Sequence, residues 1–211
     1  MTANIKVFTQ SSIRIQDGAR TVYLDPFRMD AAPHDADLVF ITHDHYDHFS
    51  PEDLDKVRRA DTVFVVPCKL ETDARKALGP AAEIHAVAPG AHYEVAGLPF
   101  DTVAAYNARK PFHPKTSGWV GYVLSVGGER VYVSGDTDAT PEAAAVTCDV
   151  ALVPIGGTYT MDARQAAALV NKIRPRLAIP THYGSIVGRM SDADAFAKAV
   201  EPPTQVEIQI R

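Results

Sequence analysis

The chain has 211 residues, 46% of them hydrophobic and 22% charged, with a formal charge of −5. These are the proportions of an ordinary globular protein and exclude collagen, a disordered chain and a coiled coil. A chain this long buries roughly 70–75% of its unfolded surface, so it folds without staples, as one domain spanning residues 1–211.

From the N-terminus the pattern reads as many short strands with a few helices between them. Strands are expected at Ile5–Phe8, Ile13–Gln16, Thr21–Leu24, Leu38–Ile41 and Thr62–Val66. Further strands are expected at Ile84–Val87, Tyr93–Val95, Phe100–Ala105, Val120–Val126, Arg130–Ser134, Val150–Val153, Leu177–Ile179 and Val206–Ile210. Asp17-Gly18 and Gly127-Gly128 are hairpin signals, the second suited to a type I′ turn because glycine reaches positive φ freely. Ser50-Pro51-Glu52-Asp53 places a Ser N-cap before Pro at the first helical position. A further helix is expected through Leu70–Leu78, ended by Gly79-Pro80. Asp162-x-x-Gln165 is a capping box, and Ala166, Leu169, Val170 and Ile173 then fall on one helical face. Ser191-x-x-Asp194 opens the last expected helix, with Phe196, Ala199 and Val200 inward.

The order contains an internal echo. Thr21–Asp25 is a strand ending in Asp and is soon followed by the apolar strand Asp37–Ile41; Arg130–Asp136 and Asp149–Val153 repeat that arrangement. Two similar β-rich halves facing each other with helices outside give a four-layer αββα sandwich of class α/β.

The first echo leads into His43-Asp-His-Tyr-Asp-His48, the pattern HxHxDH, in a strand-to-helix loop. Eight histidines in 211 residues make three within six positions a concentrated feature. In extended backbone, residues two apart share a side, so His43 and His45 converge on one ion, while Asp47 and His48 diverge toward a second. Imidazole with carboxylate suits zinc first, and also manganese or iron. Four ligands in one loop cannot close two sites. Asp136, in Ser-Gly-Asp-Thr after a strand, and His182, in Pro-Thr-His-Tyr after another, are the candidates in the second half.

The ordered set Asp25, HxHxDH at 43–48, Asp136 and His182 resembles the metallo-β-lactamase superfamily over nearly the whole chain. Asp25-Pro and Gly-Asp-Thr look like the compact metal-dependent hydrolase branch that includes ascorbate-6-phosphate lactonase-like proteins. The resemblance implies an αββα metallo-β-lactamase-like sandwich with one or two divalent ions at one edge. It implies His43 and His45 as ligands of one ion, Asp47, His48 and His182 as ligands of the other, Asp136 as the bridge, and Asp25 as an orienting residue behind them. The sequence departs from the family where one more histidine is usual: Asn107 stands there. Three arrangements stay open. Asn107 ligates weakly or through water, His113 reaches in instead, or the site is mononuclear.

The loop around His113 also carries Arg109, Lys110 and Lys115, which reads either as charged decoration or as a flap receiving an anionic substrate. Trp119 and Tyr122 read as core or rim aromatics. His34, His85 and His92 lack metal-like spacing. Gly156-Gly157 lacks the lysine of a phosphate loop and reads as close backbone approach near the site. A bound divalent ion brings the pKa of water toward ~7, so the expected chemistry is attack by metal-activated hydroxide, with Asp47 orienting it and taking its proton. The expected substrate is a small, anionic ester, lactone or phosphoester. The alternatives are a nuclease or phosphodiesterase of the same fold, disfavoured by the net acidity, and a non-catalytic metal-binding protein. No stretch approaches the ~18 apolar residues of a membrane span. No secretory leader is visible, and Cys68 and Cys148 lie outside any CxxC, so a cytoplasmic location with reduced thiols is expected.

Overall fold

In a computed structural model, residues 3–18 and 20–211 are described. The first sheet contains β1 (Asn4–Val7), β2 (Ile13–Asp17), β3 (Arg20–Leu24), β4 (Ala36–Phe40), β5 (Arg58–Pro67) and β6 (Glu83–Val87), side by side in chain order. The second contains β7 (His92–Val95), β8 (Leu98–Ala104), β9 (Val120–Val126), β10 (Glu129–Val133), β11 (Val150–Pro154), β12 (Leu177–Thr181) and β13 (Gln205–Val206), again in chain order. Helices α1 (Pro51–Val57) and α2 (Glu71–Leu78) belong to the first half, and α3 (Ala163–Ile173) and α4 (Ser191–Ala199) to the second.

The period of two along each strand sorts side chains into layers. On β4, Leu38 and Phe40 enter the large core shared by both sheets, whereas Val39 and Ile41 turn the other way. On β5, Val63 and Val65 follow the first pair, and Phe64 and Val66 the second. The outward set packs on Leu54 and Val57 of α1 and on Ala74 and Leu78 of α2. Between the sheets, Phe40 meets Phe100 and Tyr122 edge-on, each at 5.0 Å between ring centres. Ala166, Leu169 and Val170 of α3 and Phe196 of α4 join the shared core from the second sheet's side. The result is the expected α/β sandwich of two sheets.

The internal echo holds at the level of hydrogen bonds. In each half an antiparallel hairpin, β2–β3 or β9–β10, is followed by a parallel neighbour, β4 or β11. The aspartate that precedes or lies at the start of the parallel strand accepts from a backbone N–H near the start of the strand before it. Asp37 Oδ2 accepts from Thr21 N at 2.6 Å, and Asp149 Oδ2 accepts from Arg130 N at 2.8 Å.

The expected turns and caps are met at Gly127-Gly128, where both residues have positive φ (62° and 77°), at Ser50, and at the Asp162–Gln165 capping box. Two expectations change. Ser191 is the first helical residue of α4 rather than its cap; Met190 takes the cap position, and Asp192 Oδ2 accepts from Arg189 N at 2.7 Å. The expected strand Val206–Ile210 is a strand only at Gln205–Val206. Beyond it the Gln209 side chain imitates a strand backbone, its Oε1 accepting from Val7 N at 2.7 Å and its Nε2 donating to Ile5 O at 3.1 Å. No helix among the described residues is long and apolar enough to cross a membrane.

Candidate metal centre

Strand direction brings the singled-out residues together. β3, β4, β10, β11 and β12 end at one edge of the sandwich, and β8, antiparallel to β9 as β10 is, ends there too. Asp25 follows β3, the segment 42–48 follows β4, Asn107 and His113 follow β8, Asp136 follows β10 and His182 follows β12. Asp25 and His182 hold left-handed backbones, φ 45° and 57°, a strained conformation that persists only where the surroundings over-determine it. Asp25 N donates to Phe40 O, and His182 N donates to Gln10 O. Glycine permits two close approaches. A Cβ at Gly135 would lie 3.1 Å from the Cβ of Thr42, and one at Gly156 would lie 2.4 Å from the carbonyl oxygen of His182. The latter is the backbone approach expected at Gly156-Gly157.

His43, His45 and His113 offer nitrogens within 4.8 Å of one another, and a carboxylate oxygen of Asp47 with nitrogens of His48 and His182 forms a second such group beside them. Asp136 lies between the groups. Its Oδ2 is 3.3 Å from His182 Nε2 and 3.4 Å from His113 Nε2, and its Oδ1 is 3.4 Å from His48 Nε2. His182 Nε2 is also 3.2 Å from Asp47 Oδ2. All of these except His45 are buried.

A hydrogen-bond layer behind the cluster turns the rings. The Asp25 carboxylate accepts from Thr42 N at 2.8 Å, from Thr42 Oγ1 at 2.6 Å and from His48 Nδ1 at 2.7 Å. With its hydrogen committed to Asp25, Thr42 Oγ1 is left to accept from His43 Nδ1, 2.9 Å away. His43 therefore carries its hydrogen on Nδ1 and presents a bare Nε2 to the cluster, and His48, donating from Nδ1 to Asp25, is turned so that its Nε2 faces the cluster. Asn107 does the same for His113. Its Oδ1 accepts from His113 N at 3.1 Å and from His113 Nδ1 at 3.0 Å, while its Nδ2 donates to Tyr159 O at 2.9 Å and Asp138 Oδ1 at 3.2 Å. The amide is thus fully used, and the ring that joins His43 and His45 is His113. Trp119, expected in the core or at a rim, packs its indole on the rings of His43, His45 and His113 at 5.0, 4.9 and 5.4 Å.

Burial, reinforced by the charge of His48, holds His43 well below the ordinary imidazole pKa; burial and then His113 lower His45. Both are neutral donors at pH 7. Burial opposes the charge on Asp136, but the neighbouring His182 and His48 outweigh it and hold that carboxyl well below its usual range. His48 is also disfavoured as a cation by burial, yet Asp136 and Asp25 raise it to about 9. Burial raises Asp25. In Asp47 the effect of burial is overcome by the His182 hydrogen bond and the charge of His48, and its pKa is lowered.

Three atoms of the cluster test whether the residues fit a metal. His48 Nε2, His113 Nε2 and Asp136 Oδ1 are buried and make no hydrogen bond. Each such atom costs about 1–3 kcal/mol or more where charged, and a cluster of imidazole nitrogens around a carboxylate suits a divalent cation. The donor set fits.

The sequence profile of the β-lactamase superfamily domain matches residues 4–182. The chain belongs to the metallo-β-lactamase superfamily. A UPF0173 metal-dependent hydrolase of Aeropyrum pernix is 30% identical, covering 98% of this chain and 94% of that protein. One from Nitratidesulfovibrio vulgaris is 33% identical, covering 88% and 82%. The superfamily member described here is therefore also a member of this metal-dependent hydrolase family. Among solved structures, a metallo hydrolase of Ignicoccus hospitalis has the same fold at a TM-score of 0.81 with 23% identity, covering 99% of this chain and 95% of that one.

The cluster opens into a cavity of about 390 Å³ lined by His45, Asp47, Asp136 and His182, and by Tyr46, Phe112, Tyr159 and Ile186. The four latter residues carry no sequence signal, because nothing in a tyrosine or phenylalanine alone separates a pocket wall from a core position. Of the flap cations, Lys110 is bonded to Asp138 Oδ1 and to Thr160 O, and Lys115 pairs with Glu142 Oε1 at 2.6 Å. Neither they nor the exposed Arg109 line the cavity.

Proposed function

We propose that the chain hydrolyses a small ester or lactone with the help of one or two divalent ions, zinc before manganese or iron. His43, His45 and His113 would hold one ion, Asp47, His48 and His182 the other, and Asp136 would bridge them. The observation that carries this reading is the convergence of buried donor atoms without hydrogen bonds on one cavity. Bound there, such an ion supplies Lewis acidity and a nucleophilic water at neutral pH.

The chain's own residues do the rest. Asp47 lines the cavity and is ionised at neutral pH, so it orients the attacking water and receives its proton. Asp25, Thr42 and Asn107 hold the rings of His48, His43 and His113 through Nδ1, so that orientation is set before substrate arrives. Water adds to the carbonyl carbon and the bond to the ester oxygen breaks, giving an acid and an alcohol from an ester or a single hydroxy acid from a lactone. Of the classes named from the sequence, the phosphoester fits least well, because no lysine or arginine lines the cavity to meet its charge.

A metal-reconstituted activity panel over esters, lactones and phosphodiesters tests the assignment. His45→Ala and Asp136→Ala should each abolish turnover while circular dichroism shows the fold intact. Undiminished turnover in either variant would refute it.

A further inference from the structure

The cavity's own lining says what it selects. Apart from the hydroxyls of Tyr46 and Tyr159, its polar side-chain atoms belong to the candidate metal cluster, and the rest of its wall is the rings of Tyr46, Phe112 and Tyr159 with Ile186. Phe112 stands edge-on to Tyr159 at 4.8 Å, and Tyr46 is backed edge-on by the buried Phe27 at 5.9 Å. Tyr46 and Phe112 are 64% and 42% exposed, two of the three large apolar side chains left exposed among the described residues. Exposed apolar area gathered at a polar cluster marks a recognition surface.

Charge gives the complementary observation. No lysine or arginine lines the cavity, and several basic residues of the neighbouring loops, though not the exposed Arg109, are engaged elsewhere. Lys110 is tied to Asp138, Lys115 to Glu142, and Lys69 to the carbonyl of Thr116. Arg28 bonds Ser185 Oγ at 2.7 Å and lies 5.0 Å over the Phe27 ring, one ring removed from the lining.

We propose that this cavity selects an uncharged substrate with an apolar ring or branched chain, gripped between Tyr46 and the Phe112–Tyr159 pair. A substrate tail that carries an anion would meet ring faces, Ile186 and at most a tyrosine hydroxyl, losing hydration without a cationic partner. The inference rests on the hydrolase reading for its chemistry and on the cavity wall for its selectivity.

Two matched pairs of probes separate those supports. Phenyl butyrate and the phenyl half-ester of succinate differ only in a terminal methyl or carboxylate. The corresponding anilides, butyranilide and succinanilate, are slow to hydrolyse and report binding alone. With the metal-reconstituted full chain, kcat/KM for the butyrate ester should exceed that for the succinate ester at least about tenfold. Equilibrium dialysis of the metal-free chain should show the same preference between the anilides. Phe112→Ala and Tyr46→Ala should each weaken butyranilide binding about tenfold and shrink the preference. Both positions are exposed enough to change without unfolding the chain. Equal or better use of the succinate ester, or binding of neither anilide, overturns the inference. If the anilide preference holds and neither ester is turned over, the hydrolase reading fails and the selectivity stands.

Discussion

Replacing Asn107 by leucine tests how the cluster is held. Leucine matches the amide in size but removes four hydrogen bonds: two from His113 into Oδ1, and two from Nδ2 to Tyr159 O and Asp138 Oδ1. At about 1 kcal/mol for each neutral bond and roughly 1.5–3 for the bond to a carboxylate, the sum is about 5 kcal/mol. Tyr159 and Asp138 regain water, so about 2–4 kcal/mol is the expected loss of stability. The orientation effect is separate. Removing the partner that fixes a metal-binding histidine typically costs 10–100-fold in metal affinity. Urea unfolding of the metal-free protein measures the first quantity, and competition with a chromophoric chelator measures the second. Asn107→Leu should lower both. Asn107→His should also weaken metal binding rather than tighten it, because the amide it replaces is a brace. A stability loss with both metal affinities unchanged would show that Asn107 packs but does not orient His113, and would refute the reasoning.

Gly156→Ala places a Cβ 2.4 Å from the backbone oxygen of His182; it should displace that residue and cut metal affinity by at least tenfold, while alanine at the exposed Gly128, whose Cβ meets nothing within 4 Å, should leave affinity unchanged. His48 sits at about 9 in the metal-free chain, above its ordinary 6.5. Its protonated form therefore stabilises the metal-free fold fully below pH 6.5, and the contribution fades as pH rises through about 9. It follows that metal binding at pH 7 releases a proton from His48 and that affinity climbs toward pH 9. Calorimetry in buffers of different ionisation enthalpy should count at least one released proton at pH 7 and fewer near pH 10. Lys110→Met should lower the thermal midpoint by a few degrees through loss of the Asp138 and Thr160 bonds, and leave KM for an ester within about twofold. A large KM change confined to anionic substrates would restore that lysine to the binding surface.

Much of this site was legible because its residues are chemically rare and lie at strand ends. HxHxDH, Asp136 and His182 all follow strands that the alternating pattern already located. What stayed hidden depends on how loops double back. The segment from Asn107 to His113 folds so that Asn107 N donates to His113 O at 2.7 Å, and only that fold shows which of the two reaches the cluster. The lysines of the same loop looked free because Asp138 and Glu142, their partners, come 27 or 28 residues later. Gln209 hides a strand-like pairing in its side chain, which no backbone pattern reveals.

The aspartate that pins its neighbouring strand occurs once in each half, at Asp37 and at Asp149. Each half thus carries its own means of fixing strand alignment, independent of the other. Loops at the strand ends can then differ without either sheet losing its order: one half supplies a histidine-dense loop, the other His113, Asp136 and His182 from three separate loops. Neither set is sufficient alone. The donor cluster is thus a property of the seam between two self-aligned units, completed only where their strand ends meet.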